Sequence, residues 1–167
     1  GHPSAYKGVL DFARASKKFP KAFESHIFIS DTSKKMKRNL KRMNPRVHLH
    51  GHVTSIEKAY NDMDIIVLPY RSHLAGVANP LVLIEAMACG KAIITTNFEY
   101  LTETTKDAVI TIKPYSPRQI VNAVKKLGAN PMLREELGAR ARKIIEQEYQ
   151  QGKMFEKYLH LYKRFTK

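Results

Sequence analysis

The amino-acid sequence predicts an α/β fold, a doubly wound parallel sheet with helices on both faces and a helical carboxyl terminus. Short runs rich in Ile and Val alternate with longer helical patterns along residues 7–111, which is typical of a parallel sheet wrapped by helices. Residues 116–165 carry helical patterns alone. The chain has 167 residues, 43% of them apolar, so it is long enough to bury one core without disulfides or metal ions.

Five strands and seven helices are expected from these patterns in chain order. The strands are expected at 26–30, 46–50, 64–68, 92–95 and 108–111. The helices are expected at 7–19, 31–43, 55–63, 80–89, 116–127, 131–149 and 152–165. Thr54 and Glu57 have the spacing of a capping box at the start of the third helix. Pro80 and Gly90 frame the fourth helix, because proline favours the first helical position and glycine follows helix ends.

The chain opens on a helix rather than on a strand. A doubly wound sheet normally begins with a strand, which lies centrally in the common strand order. We therefore expect residues 1–167 to be one domain of a longer polypeptide that was cut near the end of a strand. Gly1 and His2 are interpreted as the remainder of an expression tag.

Charge and cysteine content narrow the class of protein. The 29 Lys and Arg against 15 Asp and Glu give a net charge of +14, which favours anionic neighbours such as phosphates or a membrane surface. Cys89 is the only cysteine, so an internal disulfide is excluded and a reducing compartment is expected. No apolar run approaches the ~20 residues of a membrane span, and no signal peptide is recognisable. The sequence predicts a cytoplasmic protein.

Glu85 is the single charge in an otherwise apolar helix that follows the long polar loop 69–79. A helix that is apolar on every side is buried, and an ionised carboxylate inside it costs several kcal/mol unless a partner satisfies it. One interpretation is that Glu85 accepts hydrogen bonds from the hydroxyls of a bound ligand, as acids near phosphate-binding turns do with ribose. The other is a structural pair with Lys91 or another base.

The amino end of the same helix is a candidate anion site. Its free backbone N–H groups at Leu81 and Val82 and its positive dipole end attract phosphate, although Pro80 cannot donate. The sequence contains neither Gly-x-Gly-x-x-Gly nor a Walker A pattern, which argues against a nicotinamide dehydrogenase and a P-loop ATPase. Side chains such as Lys7, Arg71 or His73 would then neutralise the charge of a bound phosphate.

The stretch from Ile66 to Glu103, IVLPYRSHLAGVANPLVLIEAMACGKAIITTNFEYLTE, resembles the nucleotide-sugar-binding core of retaining GT-B-fold glycosyltransferases, the glycosyl transferases group 1 family. The Lys7-Gly8 start, the stretch RVHLHGHV and the helical carboxyl end fit the same template. These enzymes have two Rossmann-like halves, and the resemblance is to the carboxyl-terminal half, which holds the donor. It implies that residues 1–167 form one Rossmann-like donor-binding domain. The missing amino-terminal half would bind the acceptor, and the isolated domain would not transfer sugar.

The resemblance also implies roles for individual residues. Glu85 would bind the ribose hydroxyls, and Lys7 would contact the diphosphate. Backbone at Leu81 and Val82 would face the same phosphates, and His52 and Val53, within 51–54, would lie near the base. The implied reaction moves a sugar from a nucleoside diphosphate with retention, and cations stabilise the charge that develops on the leaving group. No cofactor and no divalent metal are expected.

Three positions depart from the family pattern. The first glutamate of the paired motif falls on Val77, the glycine near the helix start is Pro80, and the arginine before Lys-Gly is His2 or absent. Our hypothesis is that Arg71 supplies the missing cation. Because Val77 replaces an acid on the sugar side, no catalytic residue is assigned, and the base, sugar and acceptor stay open. A nucleotide-sugar epimerase and an inactive donor-binding domain are the alternatives within this fold.

Alternating histidines and a basic segment suggest two other kinds of function. His48, His50 and His52 alternate along a strand and could hold a metal, but histidines satisfied within a sheet are more common, so no metal is predicted. Seven Lys and Arg residues lie in 33–46, which fits a nucleic-acid module, an anionic membrane contact or a solvated helix face. That segment has no aromatic residue on which bases could stack, so no nucleic acid is expected.

An aromatic stripe formed by Phe155, Tyr158, Tyr162 and Phe165 runs along the final predicted helix at spacings of three and four residues. Large aromatic side chains at this spacing are typical of core packing or of packing between domains. A carbohydrate platform is the alternative.

Overall fold

Five short strands, all paired in parallel, lie at the centre of the fold in residues 5–29, 33–73 and 80–165, which the computed structural model describes. They are β1 (His26–Phe28), β2 (His48–His50), β3 (Ile65–Leu68), β4 (Ala92–Thr96) and β5 (Ile110–Ile112). Each lies within or beside a predicted strand. The predicted α/β class with a parallel arrangement is confirmed.

Within the described residues the strands form two sheets rather than one. β1 pairs with β2, with His26 opposite His48, and a second sheet has the order β3-β4-β5, with Ile66 opposite Ile93. The parallel strands of this part of the chain are thus divided into two hydrogen-bonded groups. Strands β1 and β3 do not bond to each other.

Eight α-helices flank the strands in the described ranges. They are α1 (Val9–Ser16), α2 (Lys34–Met43), α3 (Ile56–Asn61), α4 (Leu81–Ala88), α5 (Glu99–Thr105), α6 (Pro117–Gly128), α7 (Pro131–Glu148) and α8 (Gln151–Phe165). A 3-10 turn, Ala5–Lys7, precedes α1. Helix α5 was not predicted, whereas the three successive helices at the carboxyl end are confirmed. The proposed capping box is wrong by one residue, because Ser55 caps α3 and accepts from the N–H of Lys58.

Strand β4 is the most deeply buried part of the structure, with all five residues inside. Its two threonines stay satisfied there, since the hydroxyl of Thr95 donates to the carbonyl of Leu68 (3.1 Å) and that of Thr96 to the carbonyl of Tyr70 (2.7 Å). Apolar cores lie on both faces of the β3-β4-β5 sheet, and a third lies between β1, β2 and the helices α1 and α2. The two threonine bonds fix the chain just beyond the carboxyl end of β3, where the loop with the candidate site residues begins.

Helix α8 turns its aromatic side chains outward. Phe155 is 65% exposed and Phe165 82% exposed, and Tyr158 and Tyr162 are exposed as well. Packing of this stripe into the core of the domain is therefore wrong, and packing between domains stays a prediction. Among the helices that the structure describes, none is long and apolar enough to cross a membrane.

Candidate functional site

The amino-terminal turn is tied to the loop that follows β3. The backbone N–H of Arg71 donates to the carbonyl of Tyr6 at 2.7 Å. Gly8, which caps α1, has a φ of 68° and lies against the carbonyl of Pro69, where a Cβ atom would come within 1.8 Å of the oxygen. Only glycine fits this close approach in a left-handed conformation. These contacts bring Lys7 to the carboxyl end of β3, the side on which open parallel sheets bind ligands.

A cavity of about 790 Å³ opens beside this point and receives three of the predicted site residues: Lys7, Val82 and Glu85. Tyr60 and Tyr70 also line this cavity. Lys7 is half-buried, and among the described residues it forms no ion pair. The lining of this cavity therefore includes a lysine with no ion pair among the described residues and a carboxylate, and their roles stay predictions.

Glu85 is held by a phenol rather than by a base. The hydroxyl of Tyr60, a buried residue of α3, donates to Oε2 of Glu85 at 2.9 Å. Burial, followed by this hydrogen bond, raises the pKa of Tyr60, so its hydroxyl stays protonated and acts as a donor. Lys91 instead donates to the carbonyl of Asn61 at 2.9 Å, so the proposed structural pair between Glu85 and Lys91 is wrong. No side chain of the described residues bonds to Oε1 of Glu85.

The first two backbone N–H groups of α4 form no hydrogen bond within the described part of the chain. Pro80 is the cap, and its carbonyl accepts from the N–H groups of Leu83 (2.8 Å) and Ile84 (3.2 Å), so the N–H groups of Leu81 and Val82 precede the first helical bond. Val82 lines the cavity, whereas the side chain of Leu81 is 72% exposed. The expectation that this helix is buried on every side is wrong at Leu81. The side chain of Glu85 itself is half-buried.

Arg71 is engaged by a buried acid. Its Nε and one terminal nitrogen each donate to Asp11 at 2.7 Å, and the side chain of Asp11 is 4% exposed. The guanidinium also lies 5.1 Å from the ring centre of Tyr115. The hydrogen bonds to Asp11 raise the pKa of Arg71, so the guanidinium stays charged. Asp11 neutralises this cation, so a purely structural ion pair is a strong alternative role for Arg71. The hypothesis that Arg71 binds phosphate stays a prediction.

The remaining predicted residues do not line the cavity. His73 is exposed and packs on Phe98, with ring centres 4.4 Å apart. His52 is exposed and Val53 is half-buried in the segment after β2, and neither belongs to the cavity lining. Their roles near phosphate or base stay predictions. Val77 lies outside the described residues.

Tyr60 and Asp11 were missed by the sequence analysis. Tyr60 is 25 residues before its partner Glu85, and Asp11 is 60 residues before Arg71. One signal could have indicated them. Both residues lie on the apolar faces of short helices, and a polar group that is buried there needs a hydrogen-bond partner.

Three histidines gather on the β1–β2 sheet, but they are not the set expected. Nδ1 of His26 lies 2.9 Å from Nε2 of His50, and its Nε2 lies 3.3 Å from a carboxylate oxygen of Glu24. His48 stacks on His26, and potential ligand atoms of Glu24, His26 and His48 lie within 4.8 Å of one another. His52 takes no part in this group. The histidines bond and stack within the sheet, and the absence of a metal stays a prediction.

We expect this cluster to make folding sensitive to mild acid. Burial, with added repulsion from His26 and His48, lowers the pKa of His50, so the unfolded chain takes up this proton near pH 6.5 and the folded protein only at lower pH. Stability should therefore fall as the pH drops below about 6.5. Melting temperatures at pH 7.5 and 5.5 should differ less in His50→Gln than in the parent chain. His160→Gln, at an exposed position of α8, is the control, and an equal acid response in all three chains would contradict the assignment.

The structure is a Rossmann-like α/β domain, in which helices flank parallel strands. An acid and a lysine line one cavity beside the strand ends. The family model for glycosyl transferases group 1 matches residues 1–130. The chain belongs to this family, which confirms the resemblance seen in the sequence.

Individual glycosyltransferases are also similar to this chain. An uncharacterized glycosyltransferase of Methanocaldococcus jannaschii is 26% identical over 169 residues, which cover 96% of this chain and 43% of that protein. A glycosyltransferase structure from Rickettsia africae matches with a TM-score of 0.86 at 18% identity, covering 100% of this chain and 46% of that one. HepE of Anabaena has been solved with UDP and also with UDP-glucose. Its UDP complex matches with a TM-score of 0.86 at 15% identity, covering 98% of this chain and 47% of that one. The chain spans less than half the length of each.

Proposed function

We propose that this chain is the donor-binding domain of a retaining glycosyltransferase that uses a nucleoside-diphosphate sugar. The observation that carries the proposal is the carboxylate of Glu85, which Tyr60 fixes on a cavity that Lys7 also lines. One oxygen of this acid is bonded to Tyr60 and the other has no side-chain partner among the described residues, an arrangement that suits the hydroxyls of a ribose. The UDP and UDP-glucose bound to HepE support a ligand of this class.

The diphosphate would lie between Lys7 and the amino end of α4. The ammonium of Lys7 and the N–H groups of Leu81 and Val82 supply positive charge from two directions. When the bond between sugar and phosphate breaks, negative charge grows on the leaving nucleoside diphosphate, and these groups stabilise it. The proposal needs no divalent metal and no cofactor, because the chain itself provides the positive charge.

The acceptor would bind to a second half that this chain does not contain. In this proposal, residues 1–167 bind the donor without transferring its sugar, and catalysis needs both halves. A panel of UDP-, GDP- and ADP-sugars tests donor binding by thermal shift, since a specific ligand stabilises the folded state by mass action. One nucleotide series should raise the melting temperature in a saturable way. A flat response to all three, confirmed by calorimetry, would contradict the proposal.

Replacing Glu85 with glutamine should weaken the nucleotide that binds best in this panel by about 10- to 100-fold. Hydrogen bonds to a charged acceptor contribute about 1.5–3 kcal/mol, and the amide removes that charge while keeping the shape and an acceptor for Tyr60. Titration calorimetry of Glu85→Gln measures the effect.

Glu103→Gln is the matched control, because Glu103 is exposed on α5. Its affinity should equal that of the parent chain. A Glu85→Gln affinity within twofold of this control, in a chain with an unchanged melting temperature, would remove Glu85 from the site.

The basic face of α2 supports a second proposal, contact with an anionic membrane surface. Lys34, Lys35, Lys37 and Arg38 are all exposed on this helix, and each basic residue near such a surface contributes about 1 kcal/mol. Changing these four to glutamine should reduce sedimentation with phosphatidylserine vesicles at least tenfold. The control changes four exposed lysines elsewhere: Lys125, Lys126, Lys143 and Lys153. Equal losses in both variants would show general charge attraction, and binding to single-stranded RNA but not to vesicles would favour the nucleic-acid alternative.

A further inference from the structure

Two histidines and one carboxylate converge where the β1–β2 sheet begins. His26 and His48 are the first residues of their strands and lie opposite each other, so their side chains stand on the same face of the sheet. Glu24 comes two residues before His26, on the segment that leads into β1. One potential ligand atom from each of these three residues lies within 4.8 Å of the other two. Two distant segments of the chain thus contribute nitrogen and oxygen donors to one place.

The spacing of these atoms suits a small divalent ion. Nε2 of His26 lies 3.3 Å from Oε2 of Glu24. Ligand atoms at about 2.0–2.1 Å from a tetrahedral Zn²⁺ are about 3.3–3.4 Å apart, so this pair already has the separation of two zinc ligands. Imidazole nitrogens combined with a carboxylate oxygen suit zinc and its neighbours in the first transition row, whereas Mg²⁺ and Ca²⁺ prefer oxygen ligands alone.

His50 supports the ring of His26 from its other nitrogen. Nε2 of His50 lies 2.9 Å from Nδ1 of His26. When Nδ1 of His26 carries the proton of this hydrogen bond, Nε2 of the same ring presents a lone pair to the carboxylate of Glu24, and a cation between them satisfies both acceptors. A hydrogen bond from the second ring nitrogen is the usual support of a metal-bound histidine, because it fixes the tautomer and the orientation of the ring.

A hydrogen-bonded relay without a metal is the rival arrangement. In the relay, His50 donates to Nδ1 of His26, and Nε2 of His26 donates to Glu24. His48 has no part in this relay and only stacks on His26. The metal site, by contrast, uses all three of the converging donors.

Metal binding requires one movement of a side chain. The rings of His26 and His48 are stacked at 15° to each other with their centres 4.8 Å apart, so their lone pairs do not aim at one point. His48 is exposed, and the terminal torsion of a histidine side chain is broad. Rotation of this ring therefore brings one of its nitrogens toward His26 and Glu24 at little cost.

We propose that Glu24, His26 and His48 bind one divalent transition-metal ion of the zinc type, with water as the remaining ligand. The ion links the segment before β1 to the start of β2 and stabilises the pairing of these strands. The sequence predicts no metal on His48, His50 and His52, and the proposed site is a different set, because strand pairing replaces two of those histidines by His26 and Glu24. This inference does not depend on the proposed donor and adds no metal to sugar transfer.

Titration calorimetry of the chelator-treated protein with ZnCl₂ tests the proposal. All chains carry His2→Gln, because an amino-terminal Gly-His pair can itself chelate a metal through its amine and imidazole. One Zn²⁺ should bind per chain with saturable heat, and Mg²⁺ should not bind. Glu24→Gln and His48→Gln, both at exposed positions, should each weaken zinc binding at least tenfold.

His52→Gln and Glu103→Gln are the matched controls, because both positions are exposed and neither belongs to the group. Their zinc affinity should equal that of the parent chain. Losses in these controls as large as in Glu24→Gln and His48→Gln would overturn the proposal, since they would show unspecific binding at the surface. No zinc binding up to millimolar concentration would overturn it too and would leave the relay as the role of the cluster.

NMR of the histidine ring nitrogens identifies the ligands independently of the calorimetric affinity. Zinc should shift Nε2 of His26 and one ring nitrogen of His48, and it should leave the ring of His160, exposed on α8, unchanged. Zinc should also raise the melting temperature of the parent chain but not that of Glu24→Gln, because a ligand of the folded state stabilises it by mass action. Equal shifts at His160 and at His26 would contradict the assignment.

Discussion

Replacing Arg71 with methionine is expected to lower the free energy of unfolding by about 3 kcal/mol. The substitution keeps an unbranched chain but leaves the carboxylate of Asp11 charged and buried without its two 2.7 Å hydrogen bonds. Arg14 lies 3.8 Å from the same carboxylate, but it is largely exposed and does not replace a bidentate partner. For a chain of this size the loss corresponds to a fall of roughly 6–12 °C in melting temperature. Urea and thermal unfolding measure both quantities.

The double variant Arg71→Met/Asp11→Asn distinguishes this structural role from phosphate binding. With the buried charge removed, the double variant should be more stable than Arg71→Met alone, because most of the loss comes from the unpaired carboxylate. If Arg71→Met instead kept the parent melting temperature and lost nucleotide affinity in calorimetry, Arg71 would be the phosphate ligand that the sequence analysis suggested.

Replacing Gly8 with alanine should destabilise the fold by about 3 kcal/mol or more. A left-handed conformation costs a non-glycine residue roughly 1–2 kcal/mol. A Cβ atom would also lie 1.8 Å from the carbonyl oxygen of Pro69, so the backbone must move. That movement displaces the turn with Lys7, so we expect weaker nucleotide binding together with a lower melting temperature.

Gly51→Ala is the matched control for this change. No atom lies within 4 Å of a Cβ built on Gly51, and its φ is not in the left-handed region. Its melting temperature should stay within about 2 °C of the parent chain, as for surface substitutions generally. A Gly8→Ala protein as stable as Gly51→Ala would mean that the turn does not require glycine.

The sequence predicted the strands and most helices because their apolar periodicity is local. Helix α5 was missed because Glu99–Thr105 contains three threonines, which favour strands by their branching. In the folded chain their hydroxyls bond back to helix carbonyls, for example Thr105 to Leu101 at 2.8 Å. The division into two sheets could not be predicted, because pairing between strands is a property of the whole fold.

Glu85 and Lys7 could be proposed as site residues because the sequence carries a signal for each of them individually. Glu85 stood out as the single charge in an apolar helix, and Lys7 came from its family position; the structure places both on one cavity. Their partners were not predictable, because Tyr60 and Asp11 reach Glu85 and Arg71 only when distant helices pack together. The histidine cluster shows the same limit, since His26 joins His48 and His50 through pairing of two strands.

The bond between Tyr60 and Glu85 has a thermodynamic consequence for any ligand that uses this carboxylate. The side chain of Glu85 loses its rotational freedom when the protein folds, so a ligand finds the oxygen already oriented and does not bear that entropy cost on association. In Tyr60→Phe the carboxylate should rotate freely before binding, and calorimetry should show a more unfavourable binding entropy at a similar enthalpy. Preorganisation of the acid is thus a property of the domain itself, set by a phenol that need not touch the ligand.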